Sequence, residues 1–184
     1  MTQTTATRPD ARERILEAAC ALAAEFGPGN ISIDAVAARA GLSKGGVLYH
    51  FRAKTDLLAA VVQSHIDRSA KAIDDEFAAA AGPNALAVAL IAVHREEDSA
   101  GRPPAAGVLA AIAENPDLLD PLREHHSGIV NRLDSESADP DLATIVYLAL
   151  EGLKAHRLFG FDATGCRSEK ALLARMEQLL REAS

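Results

Sequence analysis

Apolar residues recur along the chain at helical rather than strand spacing. Ile15, Ala19, Leu22 and Phe26 follow one another at intervals of four, three and four, the mark of one helix face. Asp10 with Glu13 three residues later reads as a capping box opening that helix, and Gly27-Pro28-Gly29 stops it. The chain restarts at Ser32, a natural N-cap, with Ile31 placed to staple onto Val36. Gly41 predicts a left-handed end to this short second helix. Ser43 then caps a third, over about residues 44–51.

A long amphipathic helix is expected from about Lys54 toward Phe77, along Leu57, Leu58, Val61, His65 and Ile66, ended by Gly82-Pro83. Further helices are predicted over residues 84–98, 105–114 and 121–133, the last capped by Asp120 with Pro121 at its first position. Asp139-Pro140 repeats that device for a helix over about 140–159 closed by Gly160, and Ser168 caps a last helix through Leu180. Residues 99–104 and 134–139 are connectors, and residues 2–9 read as a disordered arm carrying Arg8. The expected fold is all-α, with about nine helices. Composition agrees: 48% of residues are hydrophobic, many of them alanine, and only 4% are aromatic.

No apolar run is long enough to span a membrane, and MTQTTATRPD lacks the apolar stretch of a secretion signal, so a cytoplasmic protein with no membrane partner is expected. Cys20 and Cys166 lie far apart without CxxC spacing, which suggests neither a disulfide framework nor a zinc site. The net charge of −7 argues against a nucleic-acid partner until its distribution is considered. Residues 1–60 hold seven Lys/Arg against six Asp/Glu, while the remainder holds 12 against 20. Such asymmetry fits a chain that meets an anionic polymer at one end only.

The second and third helices, with Gly41 and Ser43 between them, have helix-turn-helix spacing over about residues 32–51. Gly45 and Gly46 in the first turn of the third helix cost it roughly 1 kcal/mol each relative to alanine. A helix that must approach a duplex closely has a use for that loss of bulk. Tyr49, His50 and Lys54 bring a phenol, an imidazole and an ammonium suited to phosphate contacts. Val47, Leu48 and Phe51 are left to hold the helix onto Ile15, Leu22 and Val36.

Residues 11–60, from RERILEAACALAAEFG through ISIDAVAARAGLSKGGVLYHFRAKTDLL, resemble the N-terminal domain of the tetracycline-repressor (TetR) family of regulators. Two positions depart from the family pattern. Gly46 stands where Thr or Ser is usual, and Leu48 where the commonest tyrosine lies, with Tyr49 one position later. The resemblance implies a DNA-binding domain over residues 1–57 and a helical effector-binding and dimerisation domain over 58–184. It implies that the third helix enters the major groove with Lys44 nearest a base edge and Ser43, Gly45 and Gly46 close to the duplex. Ser32, Tyr49, His50 and Lys54 would contact phosphates, and Arg8, Arg12 or Arg14 would add to these or reach the minor groove.

A homodimer is implied as well. Its expected surface comprises Ile145, Ala149, Gly152, Leu153 and His156 on one helix and Leu172, Met176 and Leu179 on the other. A small-molecule effector is expected among the helices after residue 60, with His65, His94, Leu109, His125, Tyr147 and Glu151 as candidate lining. The expected activity is that of a repressor released from its operator by this effector.

Two other readings compete with this one. His125-His126, and His94 with Glu97-Asp98, suggest metal chemistry, but there is no Glu-x-x-His pair, HExxH, glycine-rich phosphate loop or G-x-S-x-G. Neither catalytic residues, cofactor nor metal are therefore expected. A helical adaptor is the other alternative, distinguished by the lack of salt-dependent DNA binding.

Overall fold

The computed structural model describes residues 10–27, 31–99, 106–161 and 168–183. The expectations for the arm with Arg8, for Pro28-Gly29, for most of the 99–104 connector and for Cys166 lie outside these residues. The protein is all-α. Among the described residues there are nine α-helices: α1 (Ala11–Phe26), α2 (Ile33–Ala40), α3 (Lys44–His50), α4 (Lys54–Ala79), α5 (Ala85–Ser99), α6 (Ala106–Glu114), α7 (Leu119–Glu136), α8 (Pro140–Leu158) and α9 (Glu169–Glu182). None of them is long and apolar enough to cross a membrane.

Local side-chain chemistry sets several helix starts. Ser32, Ser43, Asp139 and Ser168 each accept a hydrogen bond from the backbone N–H three residues on, at 3.1, 3.0, 2.9 and 3.2 Å. Gly41 turns into the left-handed region at φ 64°, where a side chain would be strained. Both ends of α7 differ from expectation, and its C-terminal end runs on to Glu136, through half of the expected 134–139 connector. Asn115 caps a 3-10 turn at Pro116–Leu118 that runs directly into α7, so Asp120 and Pro121 fall inside the first turn of the helix rather than starting it. The Asn-Pro pair had performed the same capping role one turn earlier.

The chain divides into two compact units. The first comprises Met1–His65 with Ala105–Leu119. Its core gathers Ile15, Leu22, Ile31, Val36, Val47, Leu57, Leu58 and Val61. α1 packs against both α2 and α6. A Cβ at Gly107 of α6 would stand 2.9 Å from Cys20 Sγ and 3.2 Å from Cys20 Cα, so glycine is what allows α6 so near α1. Phe26, the last residue of the apolar spacing along α1, is exposed.

The second unit comprises Ile66–Pro104 and Asp120–Ser184, with α5 packed on α8 and α9. Leu86, Ile91, Leu133, Leu150 and Leu180 fill its core. Asn84, itself buried, ties three segments together: its Nδ2 donates to the Leu180 carbonyl at 2.9 Å and its Oδ1 accepts from Asp139 N at 3.2 Å. A buried polar group with partners of this kind specifies one arrangement of the helices around it.

Candidate nucleic-acid interface

Helix α3 is anchored along one side only. Val47 and Phe51, four residues apart, are buried, and Val47 has no exposed surface. The opposite side carries Lys44, Gly45, Leu48, Tyr49 and His50, all exposed, with Tyr49 at 86%. Leu48 was expected to help hold the helix down; its position one residue past Val47 instead turns it outward. The Tyr49 ring meets the His50 ring edge-on, with centroids 5.3 Å apart. Ser43 Oγ takes the Gly46 N–H, which leaves the outer surface of the first turn without side-chain bulk at Gly45.

Three cations around this face have carboxylate partners. Lys44 Nζ lies 3.0 Å from Asp34 Oδ2, and Lys54 Nζ 2.5 Å from Glu114 Oε1. Arg39 holds Glu25 through both guanidinium nitrogens, which lowers the Glu25 pKa. The two arginines near the start of α1 also contact other residues of their own unit. Arg12 lies over the Phe51 ring at 5.5 Å, and Arg14 donates to the Ala40 carbonyl at the end of α2. Arg14 thus caps the C-terminal end of α2. Arg52, exposed two residues before Lys54, is a cation that sequence reasoning passed over; its place in the break between α3 and α4 was the available signal.

In the second unit, His126, Val130 and Asn131 of α7 and Tyr147, Leu148 and Glu151 of α8 line an open groove of about 490 Å³. The Tyr147 hydroxyl bonds His126 Nδ1, and burial followed by the Glu151 charge raises the Tyr147 pKa. His125 lies beside it, with Nε2 3.2 Å from Ser69 Oγ. Of the candidate effector residues, Tyr147 and Glu151 share this groove and His125 adjoins it. His65, His94 and Leu109 do not line it. His94 is buried, its Nε2 2.6 Å from Glu169, which also accepts from Arg157 at 2.8 Å.

Along α8, Ile145 and Leu148 are 62% and 61% exposed, and Gly152, His156 and Phe159 continue on the outer side. Leu153 is buried in the core of its own unit, and Ala149 is half-buried. On α9, Leu172, Met176 and Leu179 are half-buried. Leu148 had escaped the sequence reading, because helical periodicity alone does not say which of two apolar faces is covered.

Residues 15–61 match the family described as "Bacterial regulatory proteins, tetR family", and residues 84–181 match "Tetracyclin repressor-like, C-terminal domain". The chain belongs to the TetR family. Its fold is shared with a transcriptional regulator from Rhodococcus sp. Rha1, at 25% identity and TM-score 0.65, over 95% of this chain and 94% of that one. The fatty acid degradation regulator FadR from Bacillus halodurans is similar at 19% identity and TM-score 0.69, over 95% and 96%. The multidrug binding protein EbrR, in complex with malachite green, is similar at 23% identity and TM-score 0.68, over 95% and 98%. No curated protein matches the sequence. This TetR-family protein is thus a transcriptional regulator with a DNA-binding helix-turn-helix at its N-terminal end, and α2 and α3 are the helices of that motif.

Proposed function

We propose that this TetR-family protein is a cytoplasmic, ligand-responsive repressor that binds its operator as a homodimer and leaves it when a small molecule binds. Residues 1–57 bind DNA, and residues 58–184 hold the effector and form the dimer. The observation that carries this reading is the one-sided anchoring of α3: Tyr49 is 86% exposed on a helix whose Val47 is fully buried. A solvent-facing aromatic on a glycine-opened helix has no stabilising role in the fold and suits a groove of a duplex.

In the complex, α3 enters the major groove, with Lys44 directed to a base edge and Ser43, Gly45 and Gly46 close to the duplex. Ser32, Tyr49, His50 and Lys54 contact phosphates and set register. One domain makes too few contacts for specific affinity, so two copies engage half-sites about 34–36 Å apart. Ile145, Gly152 and His156 on the outer side of α8, with Leu172, Met176 and Leu179 of α9, form the dimer surface. The groove of Tyr147 and Glu151 is the effector site, and EbrR supports an organic molecule as the class. The effector releases DNA through its differential affinity for the dimer spacing that does not fit successive grooves.

The test is a gel-shift series with the gene's own upstream region at two salt concentrations. Binding is expected to weaken steeply with salt, and Tyr49→Ala to weaken it while leaving the melting temperature unchanged. Salt-insensitive binding, or none, rejects the reading and favours an adaptor.

A further inference from the structure

Lys54 and Glu114 are 60 residues apart in sequence, yet their side chains meet at 2.5 Å, each about one-third exposed. Each stands at the unfavourable end of its own helix. Lys54 is the first residue of α4, where the partial positive charge of the helix repels it, and Glu114 is the last residue of α6, where the partial negative charge repels it. Together they cancel both mismatches. The close approach at Gly107 and Cys20 fixes α6 on α1 and so presents Glu114 at a set place within the first compact unit.

We propose that Glu114 is a regulatory carboxylate that competes with DNA phosphate for Lys54. The inference rests on the reading of Lys54 as a phosphate contact. While the pair is intact, a carboxylate sits within ion-pair distance of the ammonium and cancels most of the charge that a phosphate would meet. The seating of α6 then sets how much positive charge this face offers to the duplex. Lys44 has an analogous partner in Asp34, but that pair lies within the helix-turn-helix itself and moves with it. Glu114 alone of the two comes from a helix distant in sequence.

The experiment measures binding of the full chain to a fluorescein-labelled random-sequence duplex by anisotropy over a salt series. Wild type, Glu114→Gln, Lys54→Ala and the double variant are compared, with melting temperatures taken in parallel. E114Q is expected to tighten binding about two- to five-fold, the equilibrium equivalent of a partly exposed ion pair. It should also steepen the salt dependence by up to about 0.9 in log–log slope, one further phosphate contact. Because the slope does not depend on the fraction of active protein, it stays readable if E114Q loosens α6. In the K54A background the same change should have no effect.

An unchanged or weaker E114Q complex overturns the proposal. So does an equal gain in the K54A background, which would mark a general charge effect. K54A itself separates the two readings. If it costs no affinity, the phosphate role of Lys54 is wrong; if it weakens binding while E114Q does nothing, only the regulatory role of Glu114 falls.

Discussion

The guanidinium of Arg14 donates to the carbonyl of Ala40, so α1 closes the C-terminal end of α2 immediately before the turn at Gly41. The last carbonyls of a helix have no intrahelical partner, and a cation there also complements the helix dipole. This bond adds to the packing of α1 on α2 and to the Arg39–Glu25 pair in holding the helix-turn-helix to its unit. Charge-assisted bonds of this kind contribute about 1.5–3 kcal/mol. Arg14→Ala should accordingly lower unfolding free energy by about that amount in urea titrations. Specific DNA affinity well below the melting point should change little. A loss of affinity with unaltered stability would place Arg14 among the duplex contacts.

Gly45 offers the opposite trade. A Cβ there would meet only Ser43 Oγ, at 3.9 Å, so alanine fits without strain. Gly45→Ala should stabilise the protein by up to about 1 kcal/mol, the difference in helix propensity. On the proposed docking, the added methyl keeps α3 from the duplex and weakens operator binding by about ten-fold, the lower range of a lost groove contact. Paired melting and gel-shift measurements decide it. Stabilisation with full binding would mean that the glycine is not there for close approach.

Ile145 on α8 is exposed and Leu172 on α9 only half-buried, so both keep apolar surface outside their own core. Burial of one such side chain is worth about 1.5–3 kcal/mol, and two-fold symmetry counts each twice. Replacing both by lysine should convert a dimer into a species of the chain mass, 19.4 kDa, by sedimentation, with the helical signal intact. Operator binding should fall with it. A variant that stays dimeric places the interface elsewhere.

His125 carries a pH dependence. Burial first, and then the neighbouring His126, lower its pKa from the ordinary 6.5. The unfolded chain therefore takes up the proton more readily than the folded one, so stability rises with pH in this window. The contribution is present above pH 6.5 and lost as pH falls below it through the folded value. Thermal melts from about pH 8 to about pH 5 should show the decline. His125→Gln, whose amide reaches the place of Nε2 beside Ser69 and cannot titrate, should flatten it. An unchanged slope in that variant would put the dependence on another group.

The sequence alone determined the all-α class, the helix-turn-helix and most helix ends. A cap acts over one turn: Ser43 reaches the Gly46 N–H and Asp139 the Leu142 N–H, and such bonds depend only on neighbours in the chain. Tertiary packing decided what those neighbours do not encode. It placed α6 on α1 through Gly107, sent Arg14 to Ala40, turned Phe26 and Leu48 outward and drew Leu153 inward. It also brought Tyr147 to His126 and Lys54 to Glu114 across long stretches of chain. Periodicity marks which residues are apolar, but which face is covered, and which charges meet, depends on helices remote in sequence.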